Sequence, residues 1–590
     1  MTAFADLVGQ FLDELFELQP EVATAVGDHR FDDRWPDMSE AGRRARLAFV
    51  DRWTATFEGQ EAGGLTADER IDRDLVKGEL AALRFGEAEL RQETWDPMAW
   101  VYLLGMGLLP LTTREFAPLH VRLGSVAGRL EGIHRIIGDA QAVLGSGARP
   151  VSRLHAEVAA RRIAGIADLG QGAVALAEAA APGDPDVAAV LSRLRASADV
   201  AGTVLRAIGE HLAAEVVPNA TGDAALGYDL FAAKLRHTLQ DPRVTPETVL
   251  ARAEAEFAAV RAEMVRIARE IWPQWRPGEP VPADEGALVR GTLDAIAADH
   301  PKGDEMVTFC REEHARIEAF CRERGVISLV DEPLEIEWTP EFLRSYAGAM
   351  LDSPGPLDVG QKAFFSITPP RPEWPADEVE SYLREMNARQ LRLLTIHEAT
   401  PGHYLQGAYS NRGSSLARRV FGSGLFAEGW AVYVTQVMLD RGYGDGDAAL
   451  WLVHWKFYLR AVANAILDVR IHTTGMTSDE AISLMVGGAF QERAEAVAKD
   501  ERARLSATQL CTYFLGSVGM WDIEDAARRR AAVASGAGAD AVPSPRVVGG
   551  YPVTPGFDER AHLEAVIAHG APPIPILRRI LLGPEAAAGS

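Results

Sequence analysis

Apolar residues recur at intervals of three and four through one long stretch of this chain after another. That rhythm restricts it to a mainly helical fold. Phe4, Leu7, Phe11 and Leu15 begin the pattern. Ala-, Arg- and Glu-rich stretches continue it over roughly 39–59, 66–92, 121–144, 151–181, 185–216 and 245–271. Each presents an apolar stripe to a core and its charges to solvent. Pro and Gly interrupt the pattern at 145–150, 182–186 and 272–288. The last break, from Trp272 to Pro282, is the clearest linker. It predicts a helical subdomain over 1–275 and a second subdomain over 276–590 within one continuous fold.

The texture changes after about residue 325. Val326 to Val330, Leu334 to Trp338 and Ala363 to Thr368 are apolar or alternating runs bounded by Pro and Gly. They predict short strands and a small sheet. Ala363 to Thr368 is the candidate for an exposed edge that pairs with an extended substrate. The alternative is a sheet that only packs on its neighbouring helices. Helix is expected again from Asp377 to Thr400, Phe426 to Arg441, Trp451 to Thr473 and Ser478 to Phe514. Residues 531–556, with their Gly- and Pro-containing runs, read as a loop.

Chemistry concentrates in Leu393-Leu-Thr-Ile-His-Glu-Ala-Thr-Pro-Gly-His-Tyr-Leu-Gln406. His397 and His403 flank Glu398, and Glu428 follows 25 residues after His403. Two His and one Glu make a catalytic zinc set that leaves a position open for water. Glu398 is then free to act as the base on that water. The histidines are six residues apart, so a regular helix would point them about 120° away from each other. Pro401 and Gly402 relieve this. Proline forfeits a helical hydrogen bond and glycine relaxes the backbone, so a detour there can return His403 to His397. His403 should then begin a resumed helical turn. Glu428 is expected as the third ligand, with an acceptor that orients a histidine as the alternative.

The pattern His-Glu-x-x-Pro-Gly-His-x-x-Gln, followed by Glu-Gly-Trp-Ala-x-Tyr, resembles the bacterial family called domain of unknown function 885. That family looks like a distant branch of the helical gluzincin-type zinc metallopeptidases, near the thermostable carboxypeptidases and the oligopeptidases. The resemblance covers nearly the whole chain. Pro20 to Asp32, Gly227-Tyr228, Trp338 to Phe342 and Gln509 to Gly516 resemble its other landmarks in order. Ala507 stands where the family usually has proline. The resemblance implies a large multi-helical metallopeptidase-like fold with a small sheet beside the active-site helices.

Tyr513, in a Tyr-x-x-Gly setting similar to that of the related carboxypeptidases, is the candidate donor to the developing oxyanion. An ordinary core tyrosine is the alternative. His472 lies four residues after Asp468. It can contact the intermediate, or form a structural pair with that carboxylate. Arg502, where the family usually has arginine, and Arg470 are candidates for binding a substrate carboxylate, against the commoner role of ion-pair scaffolding. The expected function is zinc-dependent hydrolysis of peptide bonds by a carboxypeptidase or short-peptide peptidase. An amidohydrolase of a specialised small amide and a non-catalytic helical binding protein with a degenerate metal site are the alternatives. No nucleophile elbow, phosphate loop or dinucleotide glycine signature competes.

Composition bears on partners. With 60 basic against 84 acidic residues the net charge is −24, which argues against nucleic acid and anionic membranes. Three cysteines cannot all pair. Met1 to Asp6 opens no basic-then-apolar leader, and Val101 to Leu111 is too short to span a bilayer. The expectation is a cytoplasmic enzyme acting on a short peptide or amide.

Overall fold

The computed structural model describes residues 2–60, 62–339, 348–413, 415–542 and 553–583. Within them the chain is mainly helical, with one three-stranded mixed sheet. It divides into two compact units. The first comprises Met1–Leu226, Pro354–Gln361 and Ser415–Val420; the second comprises Gly227–Ser353, Lys362–Ser414 and Phe421–Ser590. The Pro-rich stretch 272–288 runs inside the second unit, between Pro246–Trp275 and Glu285–Ala297. Pro340 to Phe342 of one expected landmark, and Ser544 to Tyr551 of the expected loop, lie outside the described residues.

In the first unit the periodic stretches become Glu40–Glu58, Ala67–Phe85, Arg153–Ala180 and Pro185–His211. Ser39, Thr66, Ser152 and Asp184 cap these helices, each accepting from a free first-turn N–H group. The stretch expected over 121–144 is two helices, Leu119–Glu131 and Ile133–Val143. They part at Gly132, where a Cβ would stand 2.7 Å from the Trp35 ring. Phe11 anchors an aromatic cluster with Phe49, Trp53 and Phe57, its ring 5.5–5.6 Å from each. His29 ties in the distant Pro354–Gln361 segment. Its Nδ1 lies 2.9 Å from Asp32 Oδ2 and its Nε2 lies 3.0 Å from Asp358 Oδ1. Its ring stacks on Phe116 at 3.5 Å. Within the Pro20–Asp32 landmark, His29 is therefore a structural brace.

The elements that build the site lie in the second unit. In chain order they are α1 (Pro246–Trp275), α2 (Met306–Arg324), β1 (Leu334–Trp338), β2 (Ala349–Asp352), β3 (Ala363–Ile367), α3 (Ala376–Glu385), α4 (Ala388–Glu398), α5 (His403–Gly413), α6 (Gly424–Asp440), α7 (Ala448–Thr474), α8 (Arg493–Leu505) and α9 (Thr512–Ala534). The helix expected over Asp377 to Thr400 is two. Asn387 separates α3 from α4 and accepts from the N–H groups of Arg389 and Gln390, both at 3.1 Å. Ile336, Phe365 and Ile367 of the sheet pack with Met306 and Cys310 of α2 and with Leu383 and Leu391.

Two strand expectations are corrected. Ala363 to Thr368 is no edge: β3 is central, parallel to β1 and antiparallel to β2. Ala363, Phe365, Ser366 and Ile367 are buried, as a strand covered on both sides requires. Val326 to Val330 is not a strand. Side chains take the hydrogen bonds a ladder would use: Ser328 N–H donates to Glu564 at 3.0 Å, and its carbonyl accepts from Tyr409 at 2.9 Å.

Candidate metal centre

Helix α4 ends at Glu398 and α5 begins at His403, so the chain makes its detour over Ala399 to Gly402. Gly402 passes so close beneath α4 that a Cβ there would stand 1.9 Å from the His397 carbonyl oxygen. Only glycine fits. Its N–H donates to the Ile396 carbonyl at 3.0 Å, and its own carbonyl accepts from Gln406 at 3.0 Å, the first bond of the resumed helix. Two side chains hold the detour from outside. The Trp430 indole donates to the Pro401 carbonyl at 2.9 Å, and His314 Nε2 lies 3.0 Å from the Thr400 hydroxyl.

Its effect is to face the two imidazoles toward each other, with ring centroids 4.8 Å apart. Helix α6 delivers Glu428 to the same point. Its Oε2 lies 3.5 Å from His403 Nε2 and 3.9 Å from His397 Nε2. Among the described residues, His397, His403 and Glu428 each offer a ligand atom within 4.8 Å of the others, so the group can hold a metal ion. Burial, and next the charge of His403, pull the His397 imidazole down to about 3. It is therefore neutral and offers a lone pair, the ligating form. Burial opposes ionisation of Glu428, but the hydrogen bond and charge of His403 outweigh it and hold the carboxyl below its usual range. Two imidazoles and a carboxylate are donor types that a divalent metal ion can use.

Glu398 stands beside this group. Burial pushes its carboxyl up to about 7; His403 opposes this and Glu428 adds to it. The Leu351 N–H of β2 donates to it. Among the described residues, then, the sheet edge next to Glu398 belongs to β2.

Tyr513 reaches the group from α9. Its hydroxyl donates to Glu428 and accepts from Arg502, and burial followed by the Glu428 charge pushes it up to about 12. It arrives because α6 and α9 cross with almost no gap. A Cβ on Gly429 would stand 2.4 Å from Gly516 Cα, and one on Gly516 would stand 2.1 Å from the Leu425 carbonyl oxygen. The glycines of Glu-Gly-Trp and of Tyr-x-x-Gly thus meet each other, one residue beyond Glu428 and one turn beyond Tyr513.

Of the other expected residues, His472 and Arg470 sit elsewhere. His472 lies 3.0 Å from the Ala503 carbonyl, stacks on Phe231 and is 3.9 Å from Asp468. Asp468 accepts from the N–H groups of Thr508 and Cys511, both at 3.0 Å, and so braces the turn ahead of α9. Arg470 is ion-paired with Glu254 of α1. Arg502 donates to Gln509 at 3.1 Å as well as to Tyr513. Sequence reasoning missed Phe457 of α7, whose ring packs edge-on against His397 at 5.4 Å. It also missed Arg460, whose charge acts on both His397 and Tyr513. Its place one turn beyond Phe457 was the available signal.

A model of the bacterial protein family of unknown function DUF885 matches residues 20–581. The chain belongs to that family. A structure described as "a putative lipoprotein of unknown function" from Shewanella oneidensis superposes with a TM-score of 0.81 at 29% identity, covering 99% of this chain and 100% of the other. A "putative lipoprotein" from Colwellia psychrerythraea shares the fold, with a TM-score of 0.78 at 16% identity over 98% of both chains. No curated protein matches. None of these likenesses extends to the helical zinc peptidases, so that part of the resemblance rests on the motifs. The cytoplasmic expectation is corrected, because the similar Shewanella oneidensis structure is described as a putative lipoprotein. The cysteine argument behind it was weak for a physical reason. Cys310, Cys321 and Cys511 are all buried and free, so nothing about them requires a reducing compartment.

Proposed function

We propose that this protein hydrolyses peptide bonds with a zinc ion held by His397, His403 and Glu428, acting as a carboxypeptidase or a peptidase of short peptides. The observation that carries the reading is the convergence of three potential ligand atoms within 4.8 Å, beside the part-buried Glu398 carboxyl, which is not one of the three. Bound zinc would supply a Lewis acid that polarises the scissile carbonyl and acidifies water.

The protein's own groups do the rest. Glu398, held near neutrality, takes a proton from the attacking water and returns it to the departing amine. The Leu351 N–H fixes its orientation between the two transfers. Tyr513 donates to the carbonyl oxygen as that atom gains charge, and Arg502 steadies the phenol.

The test measures metal and turnover separately. Purified protein should carry stoichiometric zinc by elemental analysis, and short peptides should be cleaved. Glu398→Gln should keep the zinc and lose about 100- to 10,000-fold in rate. Retained activity in that variant would refute the base, and protein that neither binds zinc nor gains turnover on its addition would refute the whole reading.

A further inference from the structure

Beside the three ligating side chains the second unit gathers charge of the opposite sign to the chain as a whole. Lys456 and Arg460 on α7 and Lys499 and Arg502 on α8 lie in one connected group. Lys456 Nζ is 2.7 Å from Glu385 Oε2, and Arg460 is 3.9 Å from Oε1 of the same carboxylate. Arg460 also pairs with Glu495, and Lys499 Nζ lies 3.9 Å from Glu495 Oε1. Among the described residues, three cations thus share two carboxylates, a surplus of one positive charge, and Arg502 reaches Tyr513 instead. Neighbouring acids are engaged elsewhere: Asp500 with Arg504 at 3.0 Å, and Glu492 with Arg290 at 3.7 Å.

This group adjoins the candidate metal centre at both ends. The Arg460 guanidinium stands 5.4 Å from the Phe457 ring, and the other side of that contact is His397. Arg502 bonds to Tyr513, which bonds to Glu428. Lys499 is the telling member. Its side chain is only 13% exposed and has no carboxylate within close hydrogen-bonding distance. Burial, and next the Arg460 charge, pull its ammonium down to about 7. Burial disfavours the charged ammonium, which a close carboxylate partner would favour. A ligand carboxylate would supply that partner.

We propose that Lys499, with Arg460 and Arg502, makes the site selective for substrates that carry a carboxylate close to the scissile bond. This rests on the hydrolase reading above and deepens it by naming Lys499 and Arg460 beside Arg502 as the residues that hold the carboxylate. The carboxylate has two sources, the C-terminus of a peptide or an acidic side chain.

Binding to full-length Glu398→Gln protein loaded with zinc, followed by calorimetry, tests this without requiring turnover. Three probes suffice: N-acetyl-trialanine as the free acid, the same peptide as its amide, and N-acetyl-Ala-Ala-Asp amide. One of the two acidic probes should bind about 10- to 100-fold tighter than the neutral amide, and which one does identifies the source. Lys499→Met in the same background should erase that advantage while leaving the neutral amide unchanged, and Lys499→Arg should restore it. Equal binding of all three probes, binding of none, or a uniform loss in Lys499→Met overturns the proposal. If Lys499→Met does not fold, the three-probe comparison in the parent protein still decides. Acid-selective binding by a wild-type protein that cleaves nothing would sink the hydrolase reading and leave this inference standing; cleavage without acid preference would do the reverse.

Discussion

Single residues at the site divide by what they must do, and each division is measurable. Tyr513 is bonded to Glu428 and Arg502 and is not one of the three residues that could hold the metal; its proposed role is to donate toward the reacting carbonyl. Tyr513→Phe should keep the zinc and lower kcat by about 100- to 1000-fold with little change in KM. Steady-state kinetics on a short peptide checks it, and an unchanged kcat would make Tyr513 an ordinary core residue. Gly402 is a harder constraint, because its neighbour is backbone. Gly402→Ala should push α5 away from α4 and cost most of the zinc affinity, read by competition with a chelator. The three residues that could hold a metal ion were legible in sequence because His, Glu, Pro and Gly carry their chemistry locally. Arg460 and Lys499 were not, since a charged residue on a helix is ordinarily solvated, and only the packing of α7 against α8 sets these two apart.

At the scale of elements, the crossing of α6 and α9 governs the geometry. Gly429 and Gly516 have no room for a methyl group, and the atoms in the way belong to main chain. Gly429→Ala or Gly516→Ala should destabilise by on the order of 3 kcal/mol, because overpacking against backbone cannot be relieved by a rotamer change. Urea unfolding should show it as a lower midpoint at unchanged slope. A variant as stable as the parent would mean the crossing is looser than described. Helices were readable in advance because a 3.6-residue period is a local property. Strands were less so. β2, Ala349-Met-Leu-Asp352, has no β-branched residue and owes its state to pairing with β3. Val326 to Val330 has the composition of a strand, yet Glu564 and Tyr409 take its hydrogen bonds.

Across the whole molecule, long-range ties decide stability, and one of them is pH-sensitive. Burial alone would lower the His29 pKa, but the carboxylates of Asp32 and Asp358 raise it to about 9. Its folded value lies above the unfolded one. The stabilisation is therefore complete below about pH 6.5 and is lost as pH rises through about 9. Because a quarter of the side chain is exposed, the contribution is discounted to about 2 kcal/mol. The melting temperature of His29→Gln should fall below that of the parent at pH 6, and the gap should close by pH 10. A gap that stays constant with pH would show that stacking on Phe116, not charge, does the holding. By itself the amino-acid order determined the helical class, the two histidines and the glutamate that could hold a metal ion, and the break that reconciles their spacing, because each follows from chemistry within a few residues. Only the tertiary structure decided that β3 lies between β1 and β2, that His472 and Arg470 have other partners, and that basic side chains of α7 and α8 adjoin the candidate metal centre. Those outcomes depend on which distant surfaces meet, and local sequence carries no record of that.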